Sequence, residues 1–288
     1  PPYVPIYNGV SIASVPFTTS ISDAVGLSLA LNTSAQTSGN LYDIYVGNNS
    51  GLQLCTGPAW SNSGAGTSSR GAAADIALVL GIQVNAAQIT CSFGASSFVC
   101  PAKQCTRLGT MYATANGQTA LQFRPAGASG GANPIVGFCN AYNQVSVRSV
   151  SQDSTVTWTY AIVAVRNANN SANNRIRYID CNGDVRPIFT YVGAAGPVSS
   201  GTPTGAGGGI CFNIDCTTSG AFSNPGNGQI SNGPGSDNNA VIGDTFASYS
   251  PDPVLGLNFG QAGEMVSSPV AMTFFGGGGQ GLSLDTRM

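Results

Sequence analysis

Histidine is absent from this 288-residue chain, and charge of either sign is scarce. Lys plus Arg number 10 and Asp plus Glu 12, together 8% of the residues against roughly 25% in an average soluble domain. Among them are one lysine, Lys103, and one glutamate, Glu264. Each shortage closes something off. Without histidine there is no His-dependent catalytic triad and no imidazole metal ligand. With a formal net charge of −2 and no cluster of Lys and Arg, there is no footprint for nucleic-acid phosphates and no polybasic membrane patch. The apolar runs, such as ADIALVLGIQV (74–84), fall well short of the ~20 residues that span a bilayer. No basic-then-apolar opening marks a secretory leader, and the start Pro1-Pro2 suits a trimmed chain. Glu and Lys furnish helix surfaces cheaply, so their near absence also argues against helix.

Glycine (39), proline (16) and many Ser, Thr and Asn residues are present instead. They punctuate short β-branched and aromatic runs, which predicts an all-β chain. Residues 1–20 hold four prolines and no charge, and read as an extended arm. Strands are expected from Ala24, then at NLYDIYVG (40–47) and LQLC (52–55) joined by a GNNSG turn. ALVLGIQVNAAQIT (77–90) supplies two more. RLGTMYAT (107–114) and TALQFRP (119–125) read as a hairpin across NGQ. QVSVRSV (144–150) and TVTWTYAIVAV (155–165) follow, and RIRYIDCNGDVRPIFTYV (175–192) reads as a hairpin bent at Asn182-Gly183. The Gly-rich stretch 192–209 reads as a boundary or long loop, and 133–143 is the best helix candidate. The expected architecture is a β-sandwich or jelly roll over 21–192. A C-terminal β region, 193–288, completes it or packs on it as a second β subdomain.

Eight cysteines carry the chemistry to be explained: Cys55, Cys91, Cys100, Cys105, Cys139, Cys181, Cys211 and Cys216. No C-x2-C pair occurs, so structural zinc is disfavoured, and no metal or other cofactor is expected. A reactive thiol normally needs a neighbouring base, which the missing histidine denies it. Disulfides remain, and they imply an oxidising setting. Cys91 and Cys100 flank a hairpin that a cross-strand bridge would close. Cys211 and Cys216 reach each other only across a tight turn, because an extended FNID would hold them about 17 Å apart. Otherwise each pairs elsewhere, with another subunit included.

The carboxylates Asp43, Asp153, Asp244, Asp252 and Glu264 are candidates for a paired acid–base site of the glycosidase kind. The competing reading makes Asp43 a turn or strand-end side chain and Glu264 a loop carboxylate paired with an arginine. Asp180 and Asp184 resemble calcium ligands, but their glycine falls where a turn needs it. Tyr42, Tyr45, Trp60, Tyr142, Trp158 and Tyr160 serve either a core or sugar stacking.

NLYDIYVGNNSGLQLCTGPAW (40–60), Arg70, ALVLGIQVNAAQIT (77–90), RLGTMYATANGQT (107–119), FCNAYNQVSV (138–147), DSTVTWTY (153–160) and NRIRYIDCNGD (174–184) stand in an order that resembles a family of tailed-phage virion proteins. The family's C-terminal strands are matched in degenerate form by ICFNIDCTTSG (210–220) and AMTFFGGGGQGLSL (271–284), so the likeness covers about residues 24–288 and leaves the arm outside; the excess of cysteines departs from the family's pattern. The resemblance implies a non-enzymatic structural protein on the particle, as head decoration, collar or fibre. It would be a homotrimer whose arm lies on other virion proteins (capsid, neck or tail), with disulfides within and between subunits. Two alternatives are an adhesin for host surface glycans and a tail polysaccharide depolymerase.

Overall fold

A computed structural model describes residues 3–16, 28–49, 51–198, 204–223, 228–232, 243–277 and 280–288. It is nearly all β, in curled antiparallel sheets. The N-terminal part runs β1 (Tyr3–Tyr7), β2 (Ile12–Pro16), β3 (Leu41–Asn48), β4 (Leu52–Ala59), β5 (Ile76–Val79), β6 (Ile82–Asn85), β7 (Ile89–Phe93), β8 (Ser96–Cys100) and β9 (Thr106–Tyr112). From β3 onward these strands form one sheet in the order β5-β6-β9-β3-β4-β7-β8. The expected arm is a hairpin where it is described. The Asn8 side chain accepts from the N–H groups of Val10 and Ser11, which turns β1 back onto β2. Ile6 then packs on Val46 of the same chain. Of the strand expected from Ala24, residues 24–27 lie outside the described residues and 28–34 form no strand.

The remainder runs β10 (Leu121–Gln122), β11 (Ile135–Val136), β12 (Phe138–Asn140), β13 (Ser146–Ser151), β14 (Thr157–Tyr160), β15 (Arg166–Asn167), β16 (Arg175–Asp180), β17 (Ile188–Pro197) and β18 (Thr204–Phe212). A four-residue helix, α1 (Cys216–Ser219), precedes β19 (Gly228–Asn232), β20 (Gly243–Tyr249), β21 (Gly256–Val266), β22 (Met272–Phe275) and β23 (Gly281–Arg287). Two sheets result. One has the order β10-β11-β16-β21-β18-β19 with β15 on β21; the other has β13-β23-β17-β22-β14 with β20 on β17. Phe189, Tyr191, Leu282 and Leu284 of the second sheet meet Ile176, Tyr178, Ile210 and Ala262 of the first, which makes a sandwich core. Residue 192 lies inside β17, and this core joins residues from both sides of it. β12 leaves the sandwich to pair with β9, so the N-terminal sheet is stitched to the rest.

Four expectations need correction. Residues 133–143 form two short strands and no helix. TALQFRP does not pair with RLGTMYAT: β10 pairs with β11, leaving only an Ala115–Gln118 bridge at the NGQ turn. The 175–192 hairpin does not exist, because β16 and β17 belong to different sheets. The Asp180 carboxylate accepts from the N–H groups of Asn182, Gly183, Asp184 and Val185. With those donors occupied by a side chain, the turn need not close a ladder, and the chain crosses from sheet to sheet. The Gly-rich stretch is also largely strand. Gly208 and Gly260 lie under the rings of Tyr191 and Phe189, and a Cβ on either would collide with them.

All eight cysteines pair within the chain: Cys55–Cys91, Cys100–Cys105, Cys139–Cys181 and Cys211–Cys216. Cys91 and Cys100 do share a hairpin, but Cys91 faces Phe98 and Cys100 faces Ile89, two positions out of register. Cys91 therefore reaches sideways to β4. Cys211 and Cys216 meet around the turn that leads into α1, 5.4 Å apart at Cα. No thiol is left for a bridge between subunits.

Candidate functional site

Asp43 stands on β3 opposite Thr110 of β9. One residue further along, the pairing slips, so that Ile44 faces Gly109 but Tyr45 faces Arg107. Residues three apart on a regular strand point to opposite faces; this bulge turns Arg107 and Thr110 toward the same carboxylate. Arg107 Nε and Thr110 Oγ1 donate to Asp43 Oδ1 at 2.7 and 2.6 Å. Arg70 Nε and Trp60 Nε1 donate to Oδ2 at 2.7 and 3.0 Å, with the Arg70 guanidinium 4.2 Å above the Trp60 ring. Both arginines then donate to the Cys181 carbonyl oxygen, each at 2.9 Å. Arg107 also bonds Gln83 and Asn182. Asp43 and Arg107 are fully buried. Burial pushes the Asp43 carboxyl up, but the two guanidiniums and their hydrogen bonds outweigh it and hold the group below its ordinary value. With the Cys139–Cys181 bridge, this charge lock fastens β3 and β9 of one sheet to the end of β16 in another. Asp43 is thus a strand residue clamped by two arginines and no turn residue.

A second buried carboxylate, Glu264, lies on β21. It accepts from Arg166 Nε and Trp158 Nε1, each at 2.7 Å, and from the Asn169 N–H. Glu264 pairs with an arginine as expected, but from inside a strand and out of solvent. Here burial wins and the carboxyl is raised, the Arg166 charge notwithstanding. Asn169 also donates to Asp153, which accepts from Asn174 too and is held below its ordinary value despite burial. Asp244 and Asp252 are exposed, and Asp252 meets Arg186. Of the expected acid–base candidates, only Asp153 and Glu264 are brought together, through Asn169. The oxygens of Asp180 are occupied by backbone N–H groups, which leaves Asp184 without it as a calcium partner. Tyr42, Tyr45, Trp60 and Tyr160 are core residues, and Trp158 is stacked on Phe274. Tyr142 is half exposed and accepts from the Gln83 N–H.

The third place is a groove of about 550 Å³ on the outside of the sandwich. One wall is the β13–β23 ladder, where Ser146 faces Arg287, Val147 faces Thr286 and Arg148 faces Asp285. The other wall is the loop from β16 to β17, which carries Asp184 and Arg186. That loop is held in place three ways: by the four N–H groups on Asp180, by the Cys181 bridge, and by Asn182 donating to the Ala141 carbonyl. Sequence reasoning did not single out Arg148, Arg186, Asp285 or Arg287. The available signal was the shortage of charge itself, which makes any gathering of arginines worth locating. Comparison with protein-family models, curated proteins and solved structures finds no match to this chain.

Proposed function

We propose that this chain is a surface structural protein of a tailed-phage particle, acting as head decoration, collar or fibre and catalysing no reaction. The observation that carries this reading is the pairing of all eight cysteines inside one chain. Bridges of that number suit a protein that must persist in oxidising surroundings after its host has lysed. The order of motifs supports the setting, and the charge lock gives that order a physical meaning. Asp43, Trp60, Arg70, Arg107, Thr110 and Cys181 all come from the stretches that resemble the virion family, and all meet in one buried network. The assembly, a trimer resting on capsid, neck or tail proteins, is held by non-covalent contacts, since no thiol remains to join one copy to the next.

Washed particles of the parent phage, alkylated before any reduction, provide the test. The chain should be present, carry no alkyl label, and weigh about 8 Da less than its reduced form, two hydrogens per bridge. Chemical cross-links should join it to itself and to a capsid, neck or tail protein. Absence from the particles, or label on most of the cysteines, overturns the reading.

A further inference from the structure

We infer that the groove between the β13–β23 ladder and the β16–β17 loop binds an acidic saccharide, one whose sugar rings carry carboxylates. The inference concerns the purified protein and stands whether or not the chain belongs to a virion.

Charge distribution is the first support. Of nine arginines in the sequence, Arg70, Arg107, Arg166 and Arg175 are committed to Asp43, Glu264 and Asp215. Five remain, and three of those five, Arg148, Arg186 and Arg287, line this one groove. Arg148 and Arg287 make no ion pair among the described residues. Arg186 meets Asp252 in solvent, at side-chain exposures of 62% and 88%, a contact too wet to hold it fast. A chain this sparing with cations has placed most of its uncommitted ones together.

Side-chain direction is the second support. Ser146 faces Arg287 and Arg148 faces Asp285 across the ladder, so strand alternation turns all four to one exposed face. Thr286, between Asp285 and Arg287, turns the other way with Leu282 and Leu284 and is 5% exposed. Two guanidiniums and a hydroxyl on one face, with Arg186 on the opposite wall, suit a ligand rich in oxygen.

The rest of the lining narrows the ligand class. Asp184 and Asp285 repel a phosphate dianion more strongly than a singly charged carboxylate, and they accept hydrogen bonds from sugar hydroxyls. Guanidiniums fork onto a carboxylate in the same plane. Among the described residues no aromatic side chain lines the groove, so recognition there falls to charge and hydrogen bonds and not to stacking. The walls are a strand ladder and a loop clamped by Asp180 and Cys181, so little ordering is left to be done on binding.

Calorimetric titration of the purified protein with trigalacturonate and with sialyllactose tests this. The controls are methyl-esterified trigalacturonate, lactose, inorganic phosphate and triglutamate. Saturable binding of at least one acidic sugar, with loss of binding for its neutral counterpart, is expected. Arg148→Ala and Arg287→Ala should each weaken that binding roughly tenfold or more, with melting temperature unchanged because both side chains are exposed. Overturning results are no saturable binding of either acidic sugar, equal affinity for the neutral counterpart, or indifference to both arginine variants. Triglutamate or phosphate binding as tightly as the sugars would overturn it equally, in favour of a peptide or a simple anion.

Discussion

Around Tyr45 the N-terminal sheet packs six fully buried residues, four of them cysteines, whereas the sandwich core around Phe189 holds eleven and no cysteine. The buried carboxylates differ in the same direction. Asp43, next to the N-terminal core, is gripped by two arginines; Glu264, in the sandwich, has one. Two sheets facing each other can bury hydrocarbon from both sides. The N-terminal sheet divides its buried apolar residues among several small clusters, and bridges and a doubly paired carboxylate tie them together.

Removing Arg107 should break the contrast hardest. Arg107→Ala leaves the Asp43 charge buried with only Arg70 to meet it, at a cost of about 3–5 kcal/mol in denaturant unfolding. Hydrogen exchange should show strands 41–112 opening ahead of the sandwich. A loss under about 1 kcal/mol would mean that the lock is ornamental. Next come the bridges. On the loop-closure account, the 36-residue separation of Cys55–Cys91 is worth about 4 kcal/mol, and the 5-residue separation of Cys211–Cys216 about 2. Replacing each pair with alanine and comparing melting curves gives the ratio; equal losses would point to packing around the sulfur and away from chain restriction.

The smallest effect lies at the two carboxylates, and it has a sign. Asp43 titrates below 3.8 in the fold, so its contribution is whole above that pH and fades as pH falls through the depressed value. Glu264 titrates above 4.5, so its contribution is whole below 4.5 and fades as pH rises through the raised value. Glu264→Gln should therefore cost about 1 kcal/mol near pH 4 and progressively less toward neutrality. A penalty that grows with pH would show that Arg166 outweighs burial after all.

Much of this architecture could be read before any coordinates. The β3–β4 hairpin and the all-β character followed from alternation, the GNNSG turn and missing helix formers, whereas the run 77–90, read as two strands, reaches into three. Where the reading failed, contacts and register outside the local run decided the outcome over local backbone preference. Asn182-Gly183 looks locally like a hairpin bend, and only Asp180 accepting four N–H groups makes it a crossover. The glycine-rich run around Gly208 looks like a loop until the Tyr191 ring is laid over it. The Cys91–Cys100 expectation missed because a hairpin's register is not visible in its composition. Arg148 and Arg287 are 139 positions apart, and nothing short of the β13–β23 ladder brings them to one groove.

The long bridges also bear on what happens when the molecule is pulled. Cys55–Cys91 and Cys139–Cys181 enclose separate loops with separations of 36 and 42 residues. Stretched between its ends, the chain cannot pay out those loops while the sulfurs stay joined. At ~3.4 Å per residue, about 270 Å of contour is withheld from tension. A drag on the molecule would meet a short tether in oxidising surroundings and a much longer, softer one once a reductant had cut the links.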